Sequence, residues 1–590
     1  MKQKLLFISI ALLIVVSCTK KLTENPYTVF SVSYLKTSAG IQNAVNDLYS
    51  NMRFEYGPEG TNGLTCDGTD EWTYGDQPRT GVGGTADYLT LGTYTLDPTN
   101  GAIQTPWNRN FSSINLANGV ITWAPTVTGI DTGNIIAQAR FLRGLYYLLL
   151  VEEFGAVPLD LGSGPLQFNS NAFQGFNRLP VDSVEAEDFQ AMITDFTYAS
   201  QNLPVTRPAN AFVLSQAAAY LMLSRVYMFR AYSAFKQSTD FTSAYQAAIQ
   251  VVNNAASFGT GLLQDYGQVV ARGNDYNQEI LYSVERIPGD LNDNEATSGQ
   301  IGGGKENDAT NDFNADYTSV QSPTPTSGVK PVSTRTTLYG RPLRRFCPTA
   351  WMFNTAFADK FNDSRYNNTF RTVFLCSTAG GGFNIGDTGF ILANTNAQAD
   401  SMNAIPKKYR VVAPREFYVI GGGYAQNIYP TLSKYSDSLK AIPNDPGGRP
   451  YPVCKLSECY LLAAEAAMQG GSAGGTTEAA QLINVLRTRA AYRPGLLPSD
   501  LAARVLANQI SPAQITLDFI MDERTRELAG ESIRWPDLAM RGILLERVLA
   551  DNPDAAPKIQ PYHVLRPIPQ SQLDATDVAN KAAYQNPGYN

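Results

Sequence analysis

Along two blocks of the chain, apolar residues recur at three- and four-residue spacing, the period of helices that bury one face. "NIIAQARFLRGLYYLLLVEEFG", residues 134–155, departs from that rule by being apolar on nearly every side, which predicts a helix at the centre of a bundle. "LSQAAAYLMLSRVYMFRAY", residues 214–232, predicts the next helix, and the stripe of Tyr245, Ala248, Ile249 and Val252 predicts another. The second block opens with "KLSECYLLAAEAAMQGG", where Gly470 and Gly471 supply the stop. It continues in "TEAAQLINVLRTRAA", with a stripe at Ala479, Leu482, Ile483, Leu486 and Ala490. Consecutive antiparallel pairs with small residues at their crossings look like tetratricopeptide units interrupted by insertions, stacked as a solenoid with loops on one side.

Between the blocks the period is lost. Residues 287–348 are rich in Asp, Asn, Gly, Ser, Thr and Pro, and residues 377–430 are Gly-rich with short strand candidates in "GFILA" and "EFYVI". Residues 64–97 share that character, with aromatic rings spread through them. The expected fold is therefore mostly α: tetratricopeptide-like helix pairs with a large loop-rich region and short β-hairpins. Residues 1–17 form a leader, 18–270 an N-terminal helical region and 271–590 a C-terminal region with long loops and helices over 455–548. Loops carried on a rigid frame are where ligand contacts concentrate. The chain holds 31 Tyr, 27 Phe and 5 Trp, more rings than a core of this size needs. Trp72, Tyr74, Tyr88, Tyr317 and Tyr339 lie in or beside polar loop sequence. An exposed ring there would offer a flat apolar face to the C–H face of a sugar, while neighbouring Asp, Asn and Arg bond its hydroxyls.

Charge and rare residues narrow the chemistry. A net charge of -7 provides no basic footprint for nucleic acid. A single histidine, His563, removes multi-His metal sites and leaves one imidazole for any Ser-His-Asp arrangement. Cys66, Cys347, Cys376, Cys454 and Cys459 are scattered without Cys-x-x-Cys spacing, which leaves room for one or two disulfides but no zinc or redox motif. "GQIGGGKE" fails as a phosphate loop because Glu306 stands where a hydroxyl is needed. "DLNDNE" fails as an EF-hand, since Glu295 replaces the turn glycine, although these residues or Asp67, Asp70 and Glu71 leave an irregular calcium site open. Among 53 acidic residues no pair is marked for glycoside hydrolysis. At the N-terminus Lys2 and Lys4 precede an apolar run from Leu5 to Val16, and Val15-Val16-Ser17-Cys18 resembles a lipobox. Cys18 is then the acylated first residue of a membrane-tethered protein.

"DERTRELAGESIRWPDLAMRG" packs four arginines and five carboxylates around Trp535. Glu523, Glu527 and Glu531 lie four apart on a helix and repel, so they require arginines from their own or facing turns. Arg524, Arg526 and Arg534 are at hand, with Asp537 beyond, and a guanidinium can stack on Trp535. No nucleophile adjoins them, and an ionic packing network is the expectation.

These residues also resemble the pattern ERxRELxxExxRWxDLxRxG of the SusD/RagB nutrient-binding outer-membrane lipoproteins. "AQARFLRGLYYLLLVEEFGAVPL", "QAAAYLMLSRVYMF", "CPTAWMFNTAFADKFNDSRY", "INVLRTRA" and the ending "LRPIPQSQLDATDVANKAAYQNPGYN" follow in family order. The resemblance implies a non-enzymatic, cell-surface lipoprotein that captures an oligosaccharide, or a peptide, for a SusC-like TonB-dependent transporter. A lipid-anchored glycoside hydrolase is the alternative from another class. Gly530 stands where the family often has a bulky aromatic, and "TKKLTE" after Cys18 lacks a tight acidic run.

Overall fold

The computed structural model describes residues 32–75, 86–162, 181–286, 305–323, 328–417, 428–576 and 580–589. The leader, Cys18 and the "DLNDNE" stretch lie outside the described residues, as does the side chain of Tyr88.

The frame is a run of helices, α1 (Ser38–Asn51), α2 (Glu59–Cys66), α3 (Gly101–Trp123), α4 (Thr132–Phe154), α5 (Val181–Asn202), α6 (Gln216–Tyr232) and α7 (Asp240–Asn253). From α3 onward each packs on the next. The predicted central helix is α4. Asp131 caps its start by accepting the Asn134 N–H, and Gly155 ends it at φ +69°. Its apolar girdle also buries Arg143, whose fork grips both Asp195 oxygens of α5 at 2.7 and 2.8 Å and Asn118 of α3 at 2.7 Å. One bidentate arginine thereby sets the spacing of three helices.

The chain leaves the stack after α7 and re-enters it at α8 (Leu456–Ala466), which packs on α7 as though no residues intervened. Strand β2 (Ile280–Val284) pairs antiparallel with β9 (Tyr451–Lys455) and closes the neck of this insertion. Beyond α8 a wider turn runs to Gly471, with Gly470 at φ +89°. A Cβ on Gly471 would lie 2.3 Å from the Phe241 carbonyl oxygen, so the two glycines both stop the helix and admit α7. Further helices of the second block are α9 (Gly475–Ala490), α10 (Pro498–Asn508), α11 (Leu517–Leu528), α12 (Arg534–Met540) and α13 (Leu544–Asp551).

The strands are short and mostly join distant segments instead of forming the expected hairpins. β1 (Trp72–Tyr74) pairs with β3 (Phe346–Pro348), and β4 (Phe370–Arg371) pairs with β8 (Thr431–Leu432). Only β5 (Val373–Leu375) and β6 (Thr388–Leu392) are near neighbours in sequence, and β7 (Arg410–Val412) joins β6 in parallel. The "GFILA" stretch is thus largely β6, whereas "EFYVI" begins in a helical turn and runs out of the described residues. One hydrophobic core runs from Leu35 to Tyr584, so the regions divided at residue 270 share a single interior. All five described cysteines are buried free thiols.

Gly530, between α11 and α12, has φ +73°, and a Cβ there would meet Leu432 Cδ2 at 2.4 Å. Its carbonyl accepts the hydroxyls of Tyr435 and Tyr451 at 2.9 and 3.2 Å. Two tyrosines and the β8 leucine fill the space a bulky residue would occupy. Gly530→Ala is expected to cost about 1–3 kcal/mol for the left-handed conformation, with a lowered melting temperature in calorimetry. An unchanged melting temperature would show that the turn relaxes freely.

Candidate functional site

Four of the five rings expected to meet a sugar, Trp72, Tyr74, Tyr317 and Tyr339, are inside the protein. Trp72 is fully buried, edge-on to Phe313 at 4.7 Å, and its indole N–H donates to Glu71 at 3.2 Å. Tyr74 is buried beside it on β1, opposite Phe346. Tyr317 and Tyr339 lie against each other at 5.3 Å and against Phe374 at 5.8 and 5.3 Å. The Tyr317 hydroxyl donates to the Gly340 carbonyl, and the Tyr339 hydroxyl accepts the Leu375 N–H at 2.7 Å. Arg371 covers the Tyr339 ring at 4.8 Å. Strands of two to five residues bury little by themselves, so an insertion built from them needs large rings as its interior. Polar sequence around these rings marks tight turns instead of solvent: Asn307, Asn311, Asp312 and Asn314 are buried too.

The ionic stretch folds as a buried network whose partners lie mostly outside it. Glu523 meets Arg526 at 2.7 Å, Arg487 of α9 at 2.8 Å and Arg365 of the insertion at 2.8 Å. Glu527 meets Arg489 of α9 at 2.6 Å and Arg365 at 3.2 Å, while Arg365 also binds Asp363 at 2.6 Å. Glu531 is held between Lys434 and Lys455 at 2.8 and 2.7 Å. Asp537 joins Arg524 and Arg541 at 2.7 and 2.9 Å. Arg534 turns to Asp70 at 2.7 Å, and it is Arg566, near the C-terminus, that stacks over Trp535 at 4.0 Å. Burial alone would raise the Glu523 carboxyl, yet Arg365, Arg526 and Arg487 hold it well below the ordinary range. Glu527 is likewise pushed up by burial and pulled down by Arg489, Arg365 and Lys455, ending at about 2.

Asp70 is engaged by Arg534, and Asp67 accepts the Gly68 N–H at 3.0 Å. Among the described residues no three acidic, His or Cys side chains converge on a point where a metal ion would sit. His563 is enclosed by Tyr94, Tyr562 and Tyr589, and its Nδ1 accepts the Gln560 N–H at 2.8 Å. Burial, with Arg566 adding to it, lowers its pKa to about 4 and keeps it neutral.

A concave surface lies elsewhere, between α1, α4, the 211–214 turn and β2. It encloses about 490 Å³ and is lined by Gln42, Asn46, Tyr49, Arg53, Gln138 and Phe212, with Glu285 at one side. The Tyr49 hydroxyl donates to Gln138 at 2.9 Å, and the Arg53 guanidinium is tied to the Glu285 carbonyl at 2.9 Å and to Ser50 at 3.2 Å. Sequence reasoning passes over these residues because Gln42 and Asn46, four apart on α1, read as an ordinary solvated face. No periodicity links them to positions 138 and 212.

A family model described as "SusD family" matches residues 300–541, and one described as "Starch-binding associating with outer membrane" matches residues 74–228. A SusD-like protein P2 from Formosa agariphila is 26% identical over 549 residues, covering 91% of this chain and 90% of its own. A solved laminarin-binding SusD-like protein superposes with a TM-score of 0.64 at 20% identity, over 94% of this chain and 100% of its own. Surface glycan-binding protein A from Bacteroides thetaiotaomicron, in complex with laminarihexaose, superposes with a TM-score of 0.62 at 19% identity, over 93% of this chain and 99% of its own.

Glu527→Gln would leave Arg365 and Arg489 short of a buried counter-charge and is expected to cost about 3–5 kcal/mol in denaturant unfolding. Because Glu527 titrates at about 2 in the fold, below the ordinary 4.5, its contribution is complete above that ordinary value and is lost as pH falls through 2. Acid unfolding should therefore flatten between those limits in the variant relative to wild type. Trp72→Ala should cost about 3–5 kcal/mol of stability as a core truncation; a glycan-binding defect at unchanged melting temperature would contradict its placement.

Proposed function

The chain belongs to the SusD family, and on that premise we propose that it is a lipid-anchored, outer-membrane glycan-binding protein. In this reading it captures an oligosaccharide at the cell surface and passes it to a SusC-like TonB-dependent transporter. The observation that carries the ligand class is that this fold, matched nearly end to end, is that of proteins solved with laminarihexaose and with a xylogluco-oligosaccharide. The match to a starch-binding, outer-membrane-associating model over residues 74–228 supports the compartment. Among the described residues no helix is long and apolar enough to cross a membrane. Attachment then rests on Cys18, whose acyl chains each contribute about 0.8 kcal/mol per buried methylene.

Binding without cleavage fits the interior chemistry. The one imidazole is enclosed and neutral, and the densest carboxylate cluster is neutralised by arginines. Neither group is arranged to move a proton onto a glycosidic oxygen.

Affinity electrophoresis through gels containing laminarin, xyloglucan or starch should retard the purified chain in at least one gel, with no reducing ends released on prolonged incubation. Release of reducing ends would replace the binder with a hydrolase, and retention by peptides alone would move the ligand class. Cys18→Ala should shift the protein from the membrane to the soluble fraction; continued membrane association would remove the lipid anchor from the account.

A further inference from the structure

The cleft bounded by α1, α4 and β2 has features of a ligand site that the ring-filled insertion lacks. Its volume of about 490 Å³ lies within the roughly 300–1,000 Å³ range of small-molecule sites. Two of its polar groups, Tyr49 and Gln138, are fixed before any ligand arrives. Tyr49 is positioned by two contacts, accepting the Leu214 N–H at 3.4 Å and donating to Gln138 Oε1 at 2.9 Å. That contact orients the Gln138 amide, whose Nε2 has no protein partner among the described residues. On α1, Gln42 Nε2 donates to Asn46 Oδ1 at 3.2 Å. This leaves Gln42 Oε1 as an acceptor and Asn46 Nδ2 as a donor without protein partners among the described residues. Phe212 forms an apolar wall, half-buried and braced edge-on by Tyr276 at 6.0 Å. The two charged residues of the lining, Arg53 and Glu285, are of opposite sign and give the cleft no net charge.

Amides that both donate and accept, next to an apolar ring and without net charge, match a neutral polyhydroxylated ligand. Vicinal hydroxyls on such a ligand need donor and acceptor together, and its C–H face needs an apolar wall. We infer that this cleft is a saccharide-binding site, built on the helical frame and separate from the loop-borne insertion. The ligand class rests on the glycan-binding function proposed above, whereas the location rests on the cleft itself. Placement of Gln42, Asn46, Tyr49 and Gln138 on helices holds these contacts more rigidly than a loop would, with Phe212 supplied by the 211–214 turn.

Hydrogen exchange of the full chain, with and without laminarihexaose, maltohexaose and a xylogluco-oligosaccharide, reads the site directly. The saccharide that binds should protect the segments 42–53, 134–140, 211–215 and 281–285. Gln138→Ala should weaken that saccharide by about fivefold to tenfold, the order expected from one lost hydrogen bond, and Phe212→Ala should do so at least as strongly. Should Phe212→Ala lower the melting temperature, Gln42→Ala at the exposed rim provides the affinity measurement instead. Saccharide binding with no protection in these segments and no loss in the variants would overturn the inference and leave the proposed function standing. Failure of all three saccharides to bind would remove both.

Discussion

Arg365 is the point at which the insertion and the helical frame become one body. Its guanidinium has no solvent exposure and lies among Asp363, Glu523 and Glu527, at 2.6, 2.8 and 3.2 Å. Glu523 and Glu527, four apart on α11, would repel each other, and the facing arginines of α9 and the insertion convert that repulsion into attraction. Ion pairs withdrawn this far from water gain little over well-packed apolar groups, but an unmatched member is costly. Such a network tolerates only the arrangement in which every partner is present. It therefore specifies how three distant parts of the chain meet, more than it adds to overall stability.

That constraint explains how the described part of a long polar insertion is held to the frame. The chain leaves the helical stack after Asn253 and re-enters at Leu456, with β2 and β9 closing the neck. Above the neck, short strands pair across long sequence separations and Trp72, Tyr317, Tyr339 and Phe374 fill the space between them. Below it, Arg143 and Arg566 perform for the frame what Arg365 performs for the insertion: Arg566 joins Glu153 of α4, the Leu64 carbonyl of α2 and the Trp535 ring of α12. Arginine forks and aromatic rings, with few long strands, hold this half together.

How much of this was legible in the sequence depends on the range of the interaction. α4, α6, α8 and α9 were readable because a helix is set by residues three and four apart, and Gly155 and Gly470 mark their stops locally. The ionic stretch was readable as a network, but its partners Arg365, Arg487, Arg489 and Arg566 lie far off in sequence and nothing local names them. The burial of Trp72, Tyr74, Tyr317 and Tyr339 escapes a local reading for the same reason. Burial of Tyr317 and Tyr339 is decided by Phe374 and Arg371, strand contacts that no period encodes, so flanking Asp, Gly and Thr read as exposure when they mark tight buried turns. The cleft was invisible, since its lining comes from four separate segments, each unremarkable alone.

The ionic junction at Arg365 binds frame and insertion into a single cooperative unit. Native-state hydrogen exchange at rising, sub-denaturing denaturant measures this most directly. Amides of β6 in the insertion and of α8 in the frame should merge into one opening transition in wild type and separate in Arg365→Met. Independent opening of β6 at low free energy in wild type would contradict it.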